Sequence, residues 1–266
     1  MALKTLGILG STGFIGNRIC ENLNSKYKII KVNRKLKLKK KIDYLICCSG
    51  PNKFWCEENK KKIFKNSTEF AKNILGFCKK NDVKKLIYCS TIQVLNKNDN
   101  QLIPYIRWHQ NIEKYLRGSK IKKTIIRLPN LFGKPSKNKK KLWNFFINSI
   151  IKNSYLNKAI KIKNKPNQIT FAMPLSFFIE FLKKEIEVDF VKLTKIINLN
   201  TYYKFRTDEL VFVIKTILKK KDIVPKIIIQ SKSSENFILK NILKNKEYLI
   251  FNKEIQGLIK FVKKFF

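Results

Sequence analysis

Gly10-Ser11-Thr12-Gly13-Phe14-Ile15-Gly16 constrains this chain more than any other stretch. The apolar run Leu6-Gly7-Ile8-Leu9 before it reads as a buried strand, and Asn17 to Leu23 after it reads as a helix. A strand, a tight glycine turn and a helix N-terminus make a phosphate cradle. Backbone N–H groups and the helix dipole face the anion, and no side chain blocks its approach. The spacing is G-x-x-G-x-x-G, and glycines at such a turn also serve packing alone. Their position between a strand and a helix points to a dinucleotide.

Short apolar runs alternate with helical patterns through the first half. The pattern predicts strands over Tyr27–Val32, Asp43–Cys48, Lys85–Cys89 and Thr124–Leu128, and helices over Ser67–Lys80 and from Pro104 to about Arg117. This alternation predicts an α/β fold, a Rossmann-like doubly wound parallel sheet with helices on both faces. The second half is less regular. Helices are expected over Leu142–Ile151, Ser176–Leu182, Ser234–Leu243 and Lys253–Phe265, with another capped by Thr207 and reaching Leu218. Lys195–Leu199 reads as a further strand of the sheet, and Lys226–Ile229 is strand-like. The expected division is a dinucleotide-binding domain over residues 1–134 and a smaller lobe over 135–266, with about 170–200 returning to the sheet. The loops Asn96–Gln101 and Lys134–Lys141 are polar.

The charge is unusual: 58 Lys+Arg against 18 Asp+Glu gives a formal +40 over 266 residues. Such a balance suits a polyanion partner, a nucleic acid or an anionic membrane surface. Lys, Asn, Ile and Phe, all with A/T-rich codons, abound throughout, and the lysines form no single arm. That spread points to base composition and argues against a nucleic-acid partner. The field still draws in anionic cofactors and substrates. Six cysteines occur (Cys20, Cys47, Cys48, Cys56, Cys78, Cys89), with no C-x-x-C pair and a lone histidine, His109. No metal site is expected; buried reduced thiols in a cytoplasmic protein are. No apolar run reaches the ~18 residues of a membrane span, and the glycine motif leaves no room for a signal peptide.

Five segments, in order, resemble the extended short-chain dehydrogenase/reductases, the NAD-dependent epimerase/dehydratase group acting on nucleotide sugars. Gly10, Gly13 and Gly16 match its glycine motif, and Asp43 to Gly50 its third strand. Tyr88-Cys89-Ser90-Thr91-Ile92-Gln93-Val94 matches the strand that delivers the catalytic Ser or Thr, which falls on Thr91. Pro104-Tyr105 followed by Glu113 matches the active-site helix, and Arg127 to Gly133 the passage into the substrate lobe. The resemblance implies Tyr105 as proton donor and acceptor, Thr91 as the hydroxyl that holds the same substrate oxygen, and residue 109 as the third catalytic group. It implies a cofactor site of Gly10, Thr12, Gly13, Phe14, Ile15, Gly16, Asn33, Arg34, Ser49, Gly50, Tyr105, His109, Pro129 and Asn130, with Thr91 and Asn130 also toward substrate. A nucleotide-sugar substrate, a homodimer and a place in making surface-polysaccharide sugars are also implied. The family's dehydratases carry Asp-Glu after the catalytic Thr, where this chain has Ile92-Gln93. A 4-keto reductase or epimerase is therefore expected. The basic run Lys137–Lys141 is a candidate attractor for a diphosphate, or a solvated loop.

Positions i and i+4 share a helix face, so Tyr105 and residue 109 point the same way. The family has Lys there; this chain has His109. Lowering a tyrosine pKa from about 10 to 7 takes roughly 4 kcal/mol, which an ammonium ~4 Å away supplies at an effective dielectric of ~20. Imidazole, with a reference pKa of ~6.5, is mostly neutral at pH 7, and surrounding positive charge lowers it further. Three readings follow: an active enzyme with a Tyr-His pair, a cofactor-binding scaffold with little turnover, or a structural histidine. Cofactor choice is read after the second strand, where an acid would favour NAD. Asn33-Arg34-Lys35 stands there, with no acid before Asp43. Arg34 is suited to a 2′-phosphate, so NADP is expected over NAD.

Overall fold

The computed structural model describes residues 3–95, 103–135, 143, 145–162, 167–199, 203–229 and 245–265. They divide into two compact units, residues 1–129 with 179–199, and residues 130–178 with 200–266.

The first unit is built on a six-stranded parallel sheet. Its strands are β1 (Thr5–Leu9), β2 (Lys28–Val32), β3 (Tyr44–Cys47), β4 (Lys85–Thr91), β5 (Lys123–Leu128) and β9 (Thr194–Asn198), in the order β2-β1-β3-β4-β5-β9. The central strands β1, β3, β4 and β5 are short and rich in Ile and Leu, as strands buried on both faces must be, while the edge strands β2 and β9 are less buried. β4, the most enclosed, is buried at every residue. The helices are α1 (Phe14–Leu23), α2 (Lys53–Glu58), α3 (Ile63–Lys80) and α4 (Ile103–Arg117), with the C-terminal part of α6 (Leu175–Glu187). Helices α3 and α4 pack Ile74, Phe77, Ile112 and Leu116 against Leu45, Leu86, Tyr88 and Ile125. Thr124 and Lys85 project the other way, to Glu185 of α6. The sheet is thus covered on both faces, as expected of a doubly wound fold.

Order reverses between β1 and β3, the switch point outside whose strand ends ligands bind in such sheets. One departure from the expected βαβ rhythm lies beside it. Residues 33–43 cross from β2 to β3 with no helix, tucking Leu36 and Leu38 against the core. The run is too rich in lysine to present a full apolar helix face.

The second unit holds a three-stranded sheet, β10-β8-β6, of β6 (Asn130–Phe132), β8 (Ile169–Pro174) and β10 (Tyr203–Arg206). A two-stranded sheet pairs β7 (Ile160–Ile162) with β11 (Ile227–Ile229). Helices α5 (Phe146–Tyr155), α7 (Thr207–Lys219) and α8 (Asn245–Phe265) enclose a core in which Phe132, Tyr203 and Phe205 surround Phe251. Thr207 is not the cap expected of it: Arg206 is the N-cap, its N–H bonded by Glu209, while the Thr207 hydroxyl donates to the Gln168 carbonyl. The helix expected over Ser234–Leu243, the loop Asn96–Gln101 and the run Lys137–Lys141 lie outside the described residues.

All six cysteines are free. Among the described residues no helix is long and apolar enough to cross a membrane, and no cluster of three His, Cys, Asp or Glu side chains is placed to hold a metal.

Candidate functional site

The glycine turn leaves β1 at Leu9 and enters α1 at Phe14. Gly10 has φ +96°, a left-handed conformation that side chains disfavour. A Cβ on Gly10 would stand 2.9 Å from the backbone of Cys48 and Ser49, and one on Gly16 only 2.2 Å from the Gly10 carbonyl oxygen. Glycine at both is therefore a steric requirement of seating α1 against the ends of β1 and β3. Gly13 is the N-cap of α1 and brings no capping side chain, and the first turn holds no acid. The dipole and N–H groups at this helix start suit a phosphate. Thr12 is exposed there, Ile15 half-buried and Phe14 buried.

Two further segments run beside the turn. Asn33 and Arg34 follow β2, exposed, and the Arg34 Nε donates to the Ser49 hydroxyl at 3.3 Å. Ser49 and Gly50 follow β3. A methyl on Gly50 would lie 3.9 Å from Trp108 Nε1 and 4.0 Å from His109 Cε1. The glycine turn, Arg34, Ser49, Gly50 and helix α4 thus form one continuous line at the carboxyl ends of the strands.

Thr91 ends β4, and Tyr105 stands in the first turn of α4, half-buried. The Thr91 side chain is near enough to the Tyr105 phenol to favour its ionised form. The Tyr105 and His109 rings meet edge to face, with centroids 4.7 Å apart. The structure thus brings together Thr91, Tyr105 and His109. Burial pushes the Tyr105 phenol up to about 12, opposed by the nearby Thr91 hydroxyl. Burial also drives His109 down to about 3. The expectation of a depressed histidine holds, but the cause is desolvation rather than surrounding charge. The imidazole has a partner the sequence did not reveal: its Nδ1 lies 2.7 Å from the Tyr88 hydroxyl, in the interior. Burial raises Tyr88 well above the ordinary tyrosine value, so that phenol keeps its proton.

Glu113 anchors the helix that carries Tyr105. Buried, it accepts from Ser90 Oγ at 2.6 Å and from Arg127 Nε and Nη2 at 3.1 and 2.6 Å. One carboxylate therefore ties α4 to β4 and β5, in a bidentate geometry that fixes rotation as well as distance. Gln93 donates its N–H to Thr91 Oγ1 at 3.3 Å. Arg107, two positions and about 200° around the helix from Tyr105, is exposed. Pro129 ends the first unit. Asn130 belongs to the second, where its side chain donates to the Phe171 carbonyl at 3.1 Å.

Residues 36–144 match the NAD(P)H-binding family, a match that begins downstream of the glycine turn. No curated protein matches the chain in a sequence comparison. Solved structures match along nearly its whole length. The UDP-N-acetylglucosamine 4-epimerase of Methanobrevibacter ruminantium, in complex with UDP-N-acetylmuramic acid, is 17% identical with a TM-score of 0.77, covering 99% of each chain. TunA, an NAD-dependent NDP-hexosamine 5,6-dehydratase of tunicamycin biosynthesis, is 11% identical with a TM-score of 0.76, covering 98% of each. The UDP-glucuronic acid 4-epimerase of Bacillus cereus, with UDP-glucuronic acid and NAD, is 16% identical with a TM-score of 0.70, over 98% of this chain and 100% of that one. The chain thus carries a segment similar to the NAD(P)H-binding family and shares the fold of these epimerase and dehydratase structures.

Proposed function

We propose that the protein is an NAD(P)-dependent oxidoreductase of nucleotide sugars, a 4-keto reductase or epimerase working in the cytoplasm. The observation that carries this reading is the Thr91–Tyr105 hydroxyl pair, set at the end of β4 in line with a glycine turn that only glycine can make. The residues fit a dinucleotide. Gly10 to Gly16 receive the pyrophosphate, Asn33 and Arg34 the adenosine end, and Ser49, Gly50 and His109 the span toward the nicotinamide. A bound nicotinamide supplies hydride transfer. The chain's own task is to hold one oxygen and manage its proton. Thr91 fixes the oxygen, and Tyr105 O–H is the proton source when a carbonyl becomes an alcohol.

The neutral His109 gives this reading a direction. With no cation at that position, Tyr105 keeps its proton and is better prepared as an acid than as a base. Reduction of a keto-sugar suits that state, and removal of a proton from a sugar hydroxyl calls for higher pH. Gln93, where the related dehydratases carry an acid, supports reduction or epimerisation over dehydration.

NADP is the preferred cofactor in this reading, because an exposed arginine follows β2 and no acid does. Calorimetric titration with NADPH and NADH tests it. Arg34→Asp should weaken NADPH at least 10-fold more than NADH, since it replaces a phosphate partner with a repelling charge. Equal loss for both cofactors would remove Arg34 from 2′-phosphate recognition.

A further inference from the structure

Trp108 carries a hydrogen-bond donor that the fold leaves unused. Its side chain is 5% exposed, with Trp55 edge-on at 5.9 Å and Phe70 tilted against it at 5.8 Å. Its Nε1–H is buried and meets no acceptor. An orphaned buried donor is a liability, and phenylalanine would make the same ring contacts without one. Among the described residues only two other side-chain atoms share this condition, Gln93 Oε1 and Ser154 Oγ.

The orphan lies beside Gly50. Trp108 Nε1 and His109 Cε1 are the atoms nearest to where a Cβ on Gly50 would stand, at 3.9 and 4.0 Å. Gly50 continues from Ser49, which holds Arg34 and backs onto Gly10. Meanwhile the Nδ1 of His109 is taken by Tyr88. The indole, at the position just before the histidine, is the donor on this side of α4 that is both buried and unpaired among the described residues.

We propose that Trp108 binds the dinucleotide directly, donating its Nε1–H to an oxygen of the cofactor where it passes Gly50. This rests on the functional reading above and adds a contact to it. A rigid indole held by two aromatic neighbours gives up little side-chain entropy on binding, unlike a lysine. The contact also explains the small residue at Gly50, since a side chain there would close the approach to Nε1.

The chain has three tryptophans, so nitrogen-15 spectra contain three indole N–H resonances. Trp108→Phe identifies its own; Trp55→Phe and Trp143→Phe identify it by elimination should that variant fail to fold. On saturation with NADPH or NADH the Trp108 resonance should move downfield and its exchange with water slow. Trp108→Phe should bind cofactor about 5- to 10-fold more weakly, the loss of one neutral hydrogen bond, while melting no lower than wild type. Trp55→Phe should bind within about twofold of wild type, separating the donor from the aromatic packing. An indole resonance that stays put at saturation, or a Trp108→Phe variant that binds like wild type, overturns the proposal. A wild-type protein that binds neither dinucleotide overturns the functional reading and this contact with it.

Discussion

Strands β4 and β5 treat positive charge in opposite ways at their two ends. At the amino ends stand Lys85 and Lys123, 4% and 0% exposed. Lys123 Nζ donates to the carbonyls of Leu116 and Ser119 at 2.9 and 2.7 Å, closing the C-terminus of α4. Lys85 Nζ donates to the carbonyls of Glu185 and Val188 at 2.7 and 2.9 Å, closing α6, with the Glu185 carboxylate at 3.5 Å. Burial lowers both ammonium pKa values, and Glu185 opposes that for Lys85. At the carboxyl ends the arrangement is reversed. Arg127 is consumed by Glu113, and residue 109, where the sequence resemblance implies a lysine, is an imidazole driven neutral by burial. The difference lies in the acceptors. A buried cation persists here where helix-end carbonyls with negative partial charge are fixed around it. His109 has a single hydrogen-bond partner, the Tyr88 phenol, which favours an uncharged ring.

The largest effect expected is at the site end. Tyr105→Phe should lower turnover by about 10²- to 10⁴-fold while leaving cofactor affinity unchanged, because only the proton donor is removed. Steady-state kinetics and titration check the split; a fully active variant would remove Tyr105 from the chemistry. At the other end, Lys123→Met takes the ammonium donor from the Ser119 carbonyl, while the Leu116 carbonyl keeps the Ser119 N–H and hydroxyl. It should cost about 2 kcal/mol, read as a fall of roughly 4–8 °C in Tm. A variant as stable as wild type would mean that the buried ammonium is no better than a methyl group there.

His109→Gln sharpens the comparison through pH. The folded-state pKa of His109, about 3, lies below the unfolded value, so stability is complete above the unfolded pKa and falls as pH drops toward 3. Wild type should lose about 2 kcal/mol between pH 7 and pH 5 from this group alone, and His109→Gln should lose correspondingly less. The depressed carboxyls Asp43 and Glu187 contribute below that window, so urea unfolding at the two pH values isolates the histidine. His109→Lys returns a cation to the site. It should move the activity profile about one pH unit lower by favouring the Tyr105 phenolate, and an unchanged profile would show that residue 109 does not act on Tyr105.

The sheet was legible because it rests on local pattern, whereas Thr91 and Tyr105 were singled out through the family resemblance. Apolar runs of strand length, glycines at a strand-to-helix turn and an i, i+4 helix face can all be read from neighbours in sequence. What escaped depends on distant partners. Lys85 and Lys123 look like two more lysines in a chain with 58 Lys+Arg, and only the arrival of helix ends above them makes them caps. Tyr88 was visible inside the β4 segment, but its bond to His109 joins residues 21 apart. Glu113 was recognised by its spacing from Tyr105, whereas its grip on Ser90 and Arg127 appeared only in three dimensions. Thr207 was misread because a good capping residue one position inside a helix looks the same in sequence as one at its edge.

His109 is a neutral, Tyr88-bonded ring where the sequence resemblance implies a cation. Because it is the one histidine of the chain, nuclear magnetic resonance reads it without ambiguity. Titrating the imidazole Cε1–H and ring-nitrogen shifts from pH 8 to pH 5 should give flat curves at neutral-imidazole values, with no protonation before acid unfolding begins. A sigmoidal transition with a midpoint near the reference value of ~6.5 would contradict that neutral state, and would restore a charge to the site at the lower end of that range.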